Sequence, residues 1–426
     1  MSPVSRWFRA CVPLILFTLC CAPAIAGTTV WTWPGASPCN TTLQACIANA
    51  SSGEIVEVAS NGPIAESIEI SGKSLNLRPA SGFSPLFAGS PFINAINAFG
   101  GDTLVGIVIE GMNVRDGTIT AYQHGSGPFY VTIRDNLIEA DGLDANRTGI
   151  AIRPFGSSPT GDVHFTVADN VIDLGFLEGD DIAAIGVDDL PGPTFGIVDG
   201  NTIQGGGTWS TLGAIRMRNG AGTAEVEMRY NRVAASGYNG GIVLAQDGPA
   251  GTFDARVVNN FVTGTIDITG PQPGAISLLA TAGSLHAAVL SNTLAGNDTG
   301  FIATASTGAS LTGVLANTLV ADNSVHGVVI GAAIAAGFAN DHNLVFGNGA
   351  NDFAAGPGTV VTDPLFVGAG NFHPRANSPA RDAGNTIWTT DIPTDLDGAP
   401  RVIGTAVDIG AWELADSIFA DGFDGT

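Results

Sequence analysis

The stretch RDNLI at residues 134–138 returns along the chain with one position unchanged. The other copies of this motif are ADNVI at 168–172, DGNTI at 199–203, RYNRV at 229–233, VNNFV at 258–262, LSNTL at 290–294, LANTL at 315–319 and DHNLV at 341–345. Each places an asparagine between short apolar positions, and successive asparagines lie 25 to 34 residues apart. Self-similarity with a period of about 20–50 residues is typical of a solenoid, a propeller or another repeat array.

A second short apolar motif lies between the asparagines, so each period holds at least two short strands. Its copies are GIAI at 149–152, AIGV at 184–187, GAIRM at 213–217, GIVL at 241–244, GAISL at 274–278 and GVVI at 327–330. Glycine and Asn/Asp turns separate these apolar runs, and no run keeps helical spacing. The period is too short for a propeller blade of four strands but suits one coil of a parallel β-helix. We therefore expect an all-β chain with a single right-handed parallel β-helix of roughly eleven coils, a short N-terminal capping helix and an irregular C-terminal cap.

The repeated asparagine has a physical reason in such a fold. Coils stack about 4.8 Å apart, so a residue type kept at one position forms a column. Amide side chains in a column can bond to the amides above and below while they satisfy turn backbone. We expect a structural ladder at Asn136, Asn170, Asn201, Asn231, Asn260, Asn292, Asn317 and Asn343.

The N-terminus is predicted to be an export signal. Arg6 and Arg9 precede an apolar run at 12–22 and an Ala-Ile-Ala pattern that ends at Ala26, so residues 1–26 form a predicted signal peptide with cleavage after Ala26. The later boundaries are an N-terminal cap with helix at 27–53, the β-helix at 54–345, a closing coil and cap at 346–413 and a tail at 414–426. No later segment has about 18 continuous apolar residues, which predicts no transmembrane segment.

The net negative charge of the chain limits the classes of partner that it can bind. The formal charge is −23, and removal of residues 1–26 takes away two arginines and no acids, which leaves −25. The remaining chain has a single lysine, Lys73. Such a surface repels nucleic acid and anionic membranes, and it favours polyanionic substrates only where arginines gather in one groove. We therefore expect no nucleic-acid partner.

Two cysteines remain in the predicted mature chain, Cys39 and Cys46. In an exported protein they most simply form one disulfide. Thr41 and Gln44 fit a capping box, which predicts a short helix over residues 41–51. Because the first coil of a β-helix exposes a raw strand edge, we expect this helix to cover it.

The chain resembles the right-handed parallel β-helix proteins of the pectate-lyase-like superfold over nearly all of its mature length. The resemblance rests on TLQACIANA at 42–50, GEIVEV at 53–58, the asparagine coils and an ending with DPLFVGAGNFHPRANSPARDAGN at 363–385, TDLDGAPRV at 394–402 and AVDIGAWE at 406–413. This ending is similar to the choice-of-anchor type of closing segment in exported bacterial β-helix proteins. IFADGFD at 418–424 resembles a short C-terminal sorting tag, with a packed amphipathic tail as the alternative.

Two features of that ending carry specific expectations. Trp388 and Trp412 offer bulk to plug the last coil of the lumen. Asp395 and Asp397, before Gly398, suit either a bound cation such as Ca²⁺ or a satisfied turn.

The superfold includes hydrolases that carry NTD, GDD, GHG and RIK motifs. This chain offers only GDDIAAIG at 179–186, so Asp180 and Asp181 are candidate acid and base residues with solvated turn carboxylates as the alternative. If Ile152, Val187 and Met217 face the lumen, then Arg153, Asp188 and Arg218 face outward in one column, with Arg216 at the adjacent outward position. In the lyase branch an arginine acts on a uronate beside Ca²⁺, so this patch is the second candidate site; a plain surface ion ladder is its alternative.

Two functions of different class follow. The residues favour an exported, non-catalytic rod that is secreted or displayed at the cell surface and binds carbohydrate or another surface component. The alternative is a polysaccharide lyase or glycoside hydrolase that uses a groove on the β-helix, and the fold alone does not decide between them.

Overall fold

The computed structural model describes residues 29–89, 94–140, 148–156, 159–175, 183–205, 213–220, 222–234, 239–266, 274–368 and 370–414. Within these ranges the chain forms three long parallel sheets, here called A, B and C, and each coil contributes to A, then B, then C. The fold is the predicted right-handed parallel β-helix. The predicted signal peptide, Asp180, Asp181 and the predicted sorting tag lie outside the described residues.

The strands of sheet A are Val30–Trp33, Glu54–Val58, Leu75–Pro79, Val105–Glu110, Phe129–Arg134, Val163–Ala168, Thr194–Asp199, Thr223–Arg229, Thr252–Val258, Ser284–Leu290, Ser310–Ala316 and Phe338–Asp341. Those of sheet B are Pro63–Ile64, Leu86–Phe87, Asn113–Arg115, Leu137–Glu139, Val171–Asp173, Thr202–Gln204, Arg232–Ala234, Phe261–Thr263, Thr293–Ala295, Leu319–Ala321 and Leu344–Phe346. Those of sheet C are Ile68–Ile70, Asn94–Phe99, Gly117–Gln123, Ile150–Pro154, Ile185–Asp188, Ile215–Asn219, Ile242–Gln246, Ile276–Ala280, Thr299–Ala305, His326–Ile330 and Ala350–Asp352. An antiparallel hairpin, Phe366–Gly368 and Asn371–Pro374, follows.

Alternation along the strands fills the lumen. In the strand Phe129–Arg134, Val131 and Ile133 are buried in the central cluster whereas Thr132 lies between them on the outer face. The same cluster runs through nearly every coil, so the core is one continuous column of mainly aliphatic side chains with several phenylalanines.

The asparagine column lies at the corner between sheets A and B. Asn170 donates from its backbone N and its Nδ2 to Oδ1 of Asn201, at 3.1 and 2.9 Å, and also from Nδ2 to the carbonyl of Ile133. The residue before it, Asp169, has a φ of 54°, a left-handed conformation that aims the amide into the corner. The bonds repeat through Asn136, Asn170, Asn201, Asn231, Asn260 and Asn292.

The predicted ladder position in LANTL is wrong by one residue. Asn317 takes the left-handed position, with a φ of 50°, and Thr318 occupies the ladder. The Thr318 Oγ1 accepts from the Asn292 backbone N at 3.4 Å, and the Thr318 N donates to Asn343 Oδ1 at 2.9 Å. Asparagine tolerates the left-handed region, so the same letter fits both positions of the corner.

A second amide ladder was not predicted. Asn297, Asn323 and Asn348 lie where sheet B ends. The Oδ1 atoms of Asn323 and Asn348 each accept from the backbone N and Nδ2 of the asparagine one coil earlier at 2.8 to 3.1 Å. The Oδ1 of Asn297 accepts from the backbone N and Oγ1 of Thr265, both at 3.1 Å. Each follows the ladder residue of the first corner, Asn292, Thr318 or Asn343, by five residues. The sequence signal was therefore a second asparagine five or six residues after the first in the same period.

Helix α1, Leu43–Asn49, closes the N-terminal end of the lumen. Its buried Leu43 and Ile47 belong to the central cluster, and the predicted disulfide joins Cys39 to Cys46. The predicted capping box is wrong by one residue, because Thr42 is the N-cap and accepts from Ala45 N at 3.0 Å.

Charged side chains from the first coils hold both ends of α1. Glu66 accepts from the backbone N–H groups of Leu43 and Gln44. Lys73 donates from Nζ to the carbonyls of Ile47, Ala48 and Ala50 at 2.6 to 3.0 Å. These are the terminal groups that a helix leaves unsatisfied, so α1 is tied to the coil that it covers.

The closing segment, residues 363–413, folds back along the outside of the rod. Trp388 packs with Ile392 on Val258 and Leu290, and Trp412 packs on Phe261 with 5.2 Å between ring centroids. Neither tryptophan belongs to the central cluster, so the prediction that they plug the lumen is wrong. The contacts reach over 100 residues back along the sequence, which local pattern does not reveal.

A buried ionic group holds the end of the closing segment together. Arg401 and Glu413 have side chains only 1% exposed, with Nη1 and Oε2 3.5 Å apart. Arg401 Nη2 also donates to the carbonyls of Asp408 and Gly410. Burial raises the pKa of Glu413 to about 7, with help from Asp408 and against the charge of Arg401, and burial also raises the pKa of Asp408.

Candidate functional site

The outer face of sheet C carries the predicted charged column. Ile152, Val187 and Met217 are buried in the lumen as predicted, and Asp188 lies in register with Arg218. Side chains at alternate positions therefore point away from the lumen on three neighbouring coils.

The ion pairs within that column differ from the predicted Arg153, Asp188, Arg218 ladder. Asp188 pairs with Arg216, whose Nη2 lies 2.7 Å from Oδ1, and Arg216 is only 5% exposed. Gly186 is the register partner of Arg216, and a Cβ at Gly186 would lie 3.8 Å from Arg216 Nη2, so the guanidinium passes over this glycine. The alternating-column argument identified the face but not the pairing.

Arg218 instead forms ion pairs with two acids that sequence reasoning missed. Its Nε donates to Asp247 Oδ2 at 3.0 Å, and its Nη2 lies 3.8 Å from Asp189 Oδ2. Partial burial raises the pKa of Asp189; Arg218 opposes this shift, and Asp247 and Asp188 add to it. Burial lowers the pKa of Arg218, but its bond to Asp247 and the nearby carboxylates outweigh this and raise it.

Among the described residues of this face, the formal charges cancel. Arg153, Arg216 and Arg218 face Asp188, Asp189 and Asp247. The buried Nε of Arg153 has no hydrogen-bond partner among the described residues. Because the predicted groove arginines come with as many acids, this face lacks the net positive charge that a polyanion requires.

An aromatic group, called the sheet C aromatic group, lies at the N-terminal end of this face. Phe99 stacks on its register partner Tyr122 with centroids 4.7 Å apart, and Phe155 contacts both rings edge-on at 5.2 and 5.4 Å. Phe155 is 48% exposed, and Arg153 is the next register partner of Tyr122. The sequence contains a signal for this group, because three successive sheet C segments, NAF, TAY and RPF, each end in an aromatic residue. It was missed because only charged residues were considered on this face.

The proposed cation residues are engaged by protein groups. Asp395 Oδ1 accepts from the backbone N of Asp397 and Ala399, and its Oδ2 accepts from the N of Glu413. Asp397 bonds to Arg232 at 2.6 Å and to His373 at 3.0 Å. Across the part of the chain that the structure describes, no group of three or more His, Cys, Asp or Glu side chains is arranged to hold a metal ion. This geometry matches the alternative of a satisfied turn, and a bound cation stays a prediction.

These features define a parallel β-helix whose sheet C face carries aromatic rings beside compensated charges. A search of protein-family models gave no match, and no curated protein matches the chain. Among the described residues, no helix has the length and apolar character needed to cross a membrane.

Proposed function

We propose that the protein is an exported, non-catalytic β-helix of the pectate-lyase-like superfold, with a closing segment of the choice-of-anchor type, that binds carbohydrate at or outside the cell surface. The observation that carries the proposal is the sheet C aromatic group in register with Arg153 and next to compensated ion pairs. The binding surface is the outer face of sheet C from Phe99 to Arg218.

Aromatic rings are good partners for sugars because a pyranose has an apolar face of C–H groups and a polar rim. Rings supply the apolar contact, and placed polar groups fix the orientation. Phe155 offers exposed ring surface, and Arg153 and Asp188 lie on the next coils as hydrogen-bond partners. Coils rise by about 4.8 Å, so a polysaccharide along the rod meets a new set of side chains at each coil.

The charges indicate a neutral polysaccharide. Three arginines and three aspartates cancel among the residues of this face that the structure describes, and the whole chain has a formal charge of −23. A uronate polymer therefore gains little from the local charges and is repelled by the remainder of the surface.

Binding is favoured over cleavage because Asp188 and Asp247 are each held in an arginine ion pair. One observation favours the alternative lyase or glycosidase. The raised pKa of Asp189, beside Arg218 and a second carboxylate, is a property of general acids.

Export is supported by the Cys39–Cys46 disulfide, since such bonds persist in oxidising compartments, and by the predicted signal peptide.

The test is a binding and turnover screen of the mature protein against neutral and uronate polysaccharides, with and without Ca²⁺. We expect binding of a neutral polymer without product release, and a loss of about 10-fold in affinity in Tyr122→Ala because a ring contact is removed. Phe83→Ala, an exposed phenylalanine on a turn outside sheet C, is the matched control and should bind as the wild type does. Product release that Arg218→Ala or Asp189→Asn abolishes would establish the enzyme instead.

A further inference from the structure

A second set of rings lies on a different face of the rod. Tyr130, His164 and Phe195 are register partners on three neighbouring strands of sheet A and point outward. Tyr130 stacks on His164 at 4.4 Å and His164 on Phe195 at 4.8 Å, with interplanar angles of 8° and 16°. Burial lowers the pKa of His164, with Asp162 acting in the opposite direction, so the middle ring favours its neutral form.

The end of the stack at Tyr130 is open. Rings stacked along the rod cover each other's faces, so His164 covers one face of Tyr130 and the other turns toward the preceding coil. The register partner of Tyr130 on that coil is Gly106. A Cβ built on Gly106 would meet only Ser74 Oγ, at 3.8 Å, which shows open space beside the free face of the Tyr130 ring.

The surroundings form a small notch with one apolar and one polar side. Leu104, 51% exposed, immediately precedes the strand that carries Gly106, and Val108, half-buried, lies two residues after Gly106 on that strand. Ser74 and Asn76 lie one coil before Gly106, and Ser74 Oγ accepts from the Gly106 N–H at 2.8 Å, which leaves the hydroxyl hydrogen to donate elsewhere. We call Tyr130, Gly106, Ser74, Asn76, Leu104 and Val108 the sheet A notch.

We propose that the sheet A notch binds one neutral pyranose unit. The apolar face of the sugar stacks on Tyr130, and its hydroxyl groups bond to Ser74 and Asn76 on the opposite side. The two sides of the notch match the two chemical surfaces of a pyranose, an apolar face and a hydroxylated rim. A nucleobase also stacks on aromatic rings, but its phosphates need the cationic surroundings that this acidic chain lacks.

This site is independent of the one on sheet C, and the two together give the rod sugar contacts on two faces. A polysaccharide network with many strands can then engage one molecule at two points, which raises the overall affinity without a stronger single contact.

Filling the notch tests the proposal. Gly106 has no left-handed φ and lies in a strand, so Gly106→Val is compatible with the backbone and places a side chain against Tyr130. Gly62→Val is the matched control, because the only neighbour of a Cβ there is also a serine Oγ at 3.8 Å, outside sheet A. Both are made in the Tyr122→Ala protein, which lacks the ring that contacts both Phe99 and Phe155 in the sheet C aromatic group, and melting curves confirm folding.

The probes are hexasaccharides of β-1,4-linked glucose, of β-1,4-linked mannose and of α-1,4-linked galacturonate, with affinity measured by calorimetry. We expect one of the two neutral probes to bind Tyr122→Ala, and Gly106→Val and Tyr130→Ala to weaken it by about 10-fold while Gly62→Val does not. The proposal is overturned if neither neutral probe binds Tyr122→Ala, or if Gly106→Val leaves the affinity unchanged. The sheet C proposal fails separately, if Tyr122→Ala binds every probe as the wild type does.

Discussion

Two buried polar systems in this protein are built in opposite ways. The asparagine ladder is neutral and periodic, and each Oδ1 accepts bonds from the coil before it, so the column is satisfied without any net charge. The ionic group of the closing segment is charged and occurs once, with Arg401 among Glu413, Asp408 and Asp395. Neutral amides can be repeated as often as the rod needs, whereas one guanidinium cannot balance three buried carboxylates.

The largest expected effect comes from breaking the charged system. Arg401→Met removes the only positive charge facing Glu413 and Asp408 in this described group and leaves the carboxylates buried. Removal of one partner of a buried ion pair costs about 3–5 kcal/mol of unfolding free energy. Denaturant unfolding measures it, with Arg375→Met, an exposed arginine of the same segment, as control. Equal losses in the two variants would show that the charge is not what holds the segment.

The second-largest expected effect comes from removing one amide of the asparagine ladder. Asn231→Ala removes the acceptor for both the backbone N and the Nδ2 of Asn201, at 3.1 and 3.0 Å, within a buried column. Because each buried unsatisfied group costs about 1–3 kcal/mol, we expect a loss of about 3 kcal/mol in the free energy of unfolding. Asn113→Ala, a partly exposed asparagine bonded to Ser84, is the control and should lose far less. A loss no larger than in Asn113→Ala would count against the ladder as a source of stability.

The two systems should also differ in pH dependence. Glu413 has an ordinary pKa of 4.5 and a folded pKa of about 7, so between these values the folded state binds more protons than the unfolded state. The contribution of Glu413 to stability is therefore highest below pH 4.5 and falls as pH rises to about 7. Melting temperatures from pH 5 to pH 8 should decline in the wild type and decline less in Glu413→Gln, while Asn231→Ala keeps the wild-type slope. Parallel curves for wild type and Glu413→Gln would refute the assignment.

The smallest effect comes from completing the ladder. Thr318 interrupts the asparagine column, and its Oγ1 gives the Asn292 N a longer bond, 3.4 Å, than an amide gives elsewhere. Thr318→Asn should restore the missing amide bonds and stabilise the protein by about 1 kcal/mol. Thermal unfolding checks the sign, with Thr312→Asn on the outer face as control. Destabilisation would show that the corner at Asn317 cannot accept another amide.

The repeat was predictable because each coil has the same buried polar backbone groups to satisfy at the same corner. A buried amide needs an identical neighbour above and below, so Asn136 to Asn292 recur at the coil period and reveal the fold. The failures have equally specific causes. Asn317 matched the letter of the pattern but not its backbone conformation, and Asn297 and Asn323 were overlooked because one asparagine per coil was sought.

The candidate site was only partly predictable. Strand alternation placed Asp188 and Arg218 on one face, but long arginine side chains choose among several acids, and Asp188 bonds to Arg216. The positions of Trp388 and Trp412 depend on contacts between distant parts of the chain. Neither the reach of a flexible side chain nor the path of a non-repeating segment is encoded in local periodicity.

The return path of the closing segment makes the rod mechanically uneven. From the coil of Tyr230 to the coil of Leu344, neighbouring turns are joined by their sheets and also by this outer strap. Turns nearer the N-terminus are held to each other by their ladders and packing. When the two ends are pulled apart, extension should start in the N-terminal half, and the strapped half should give way last and as a single block.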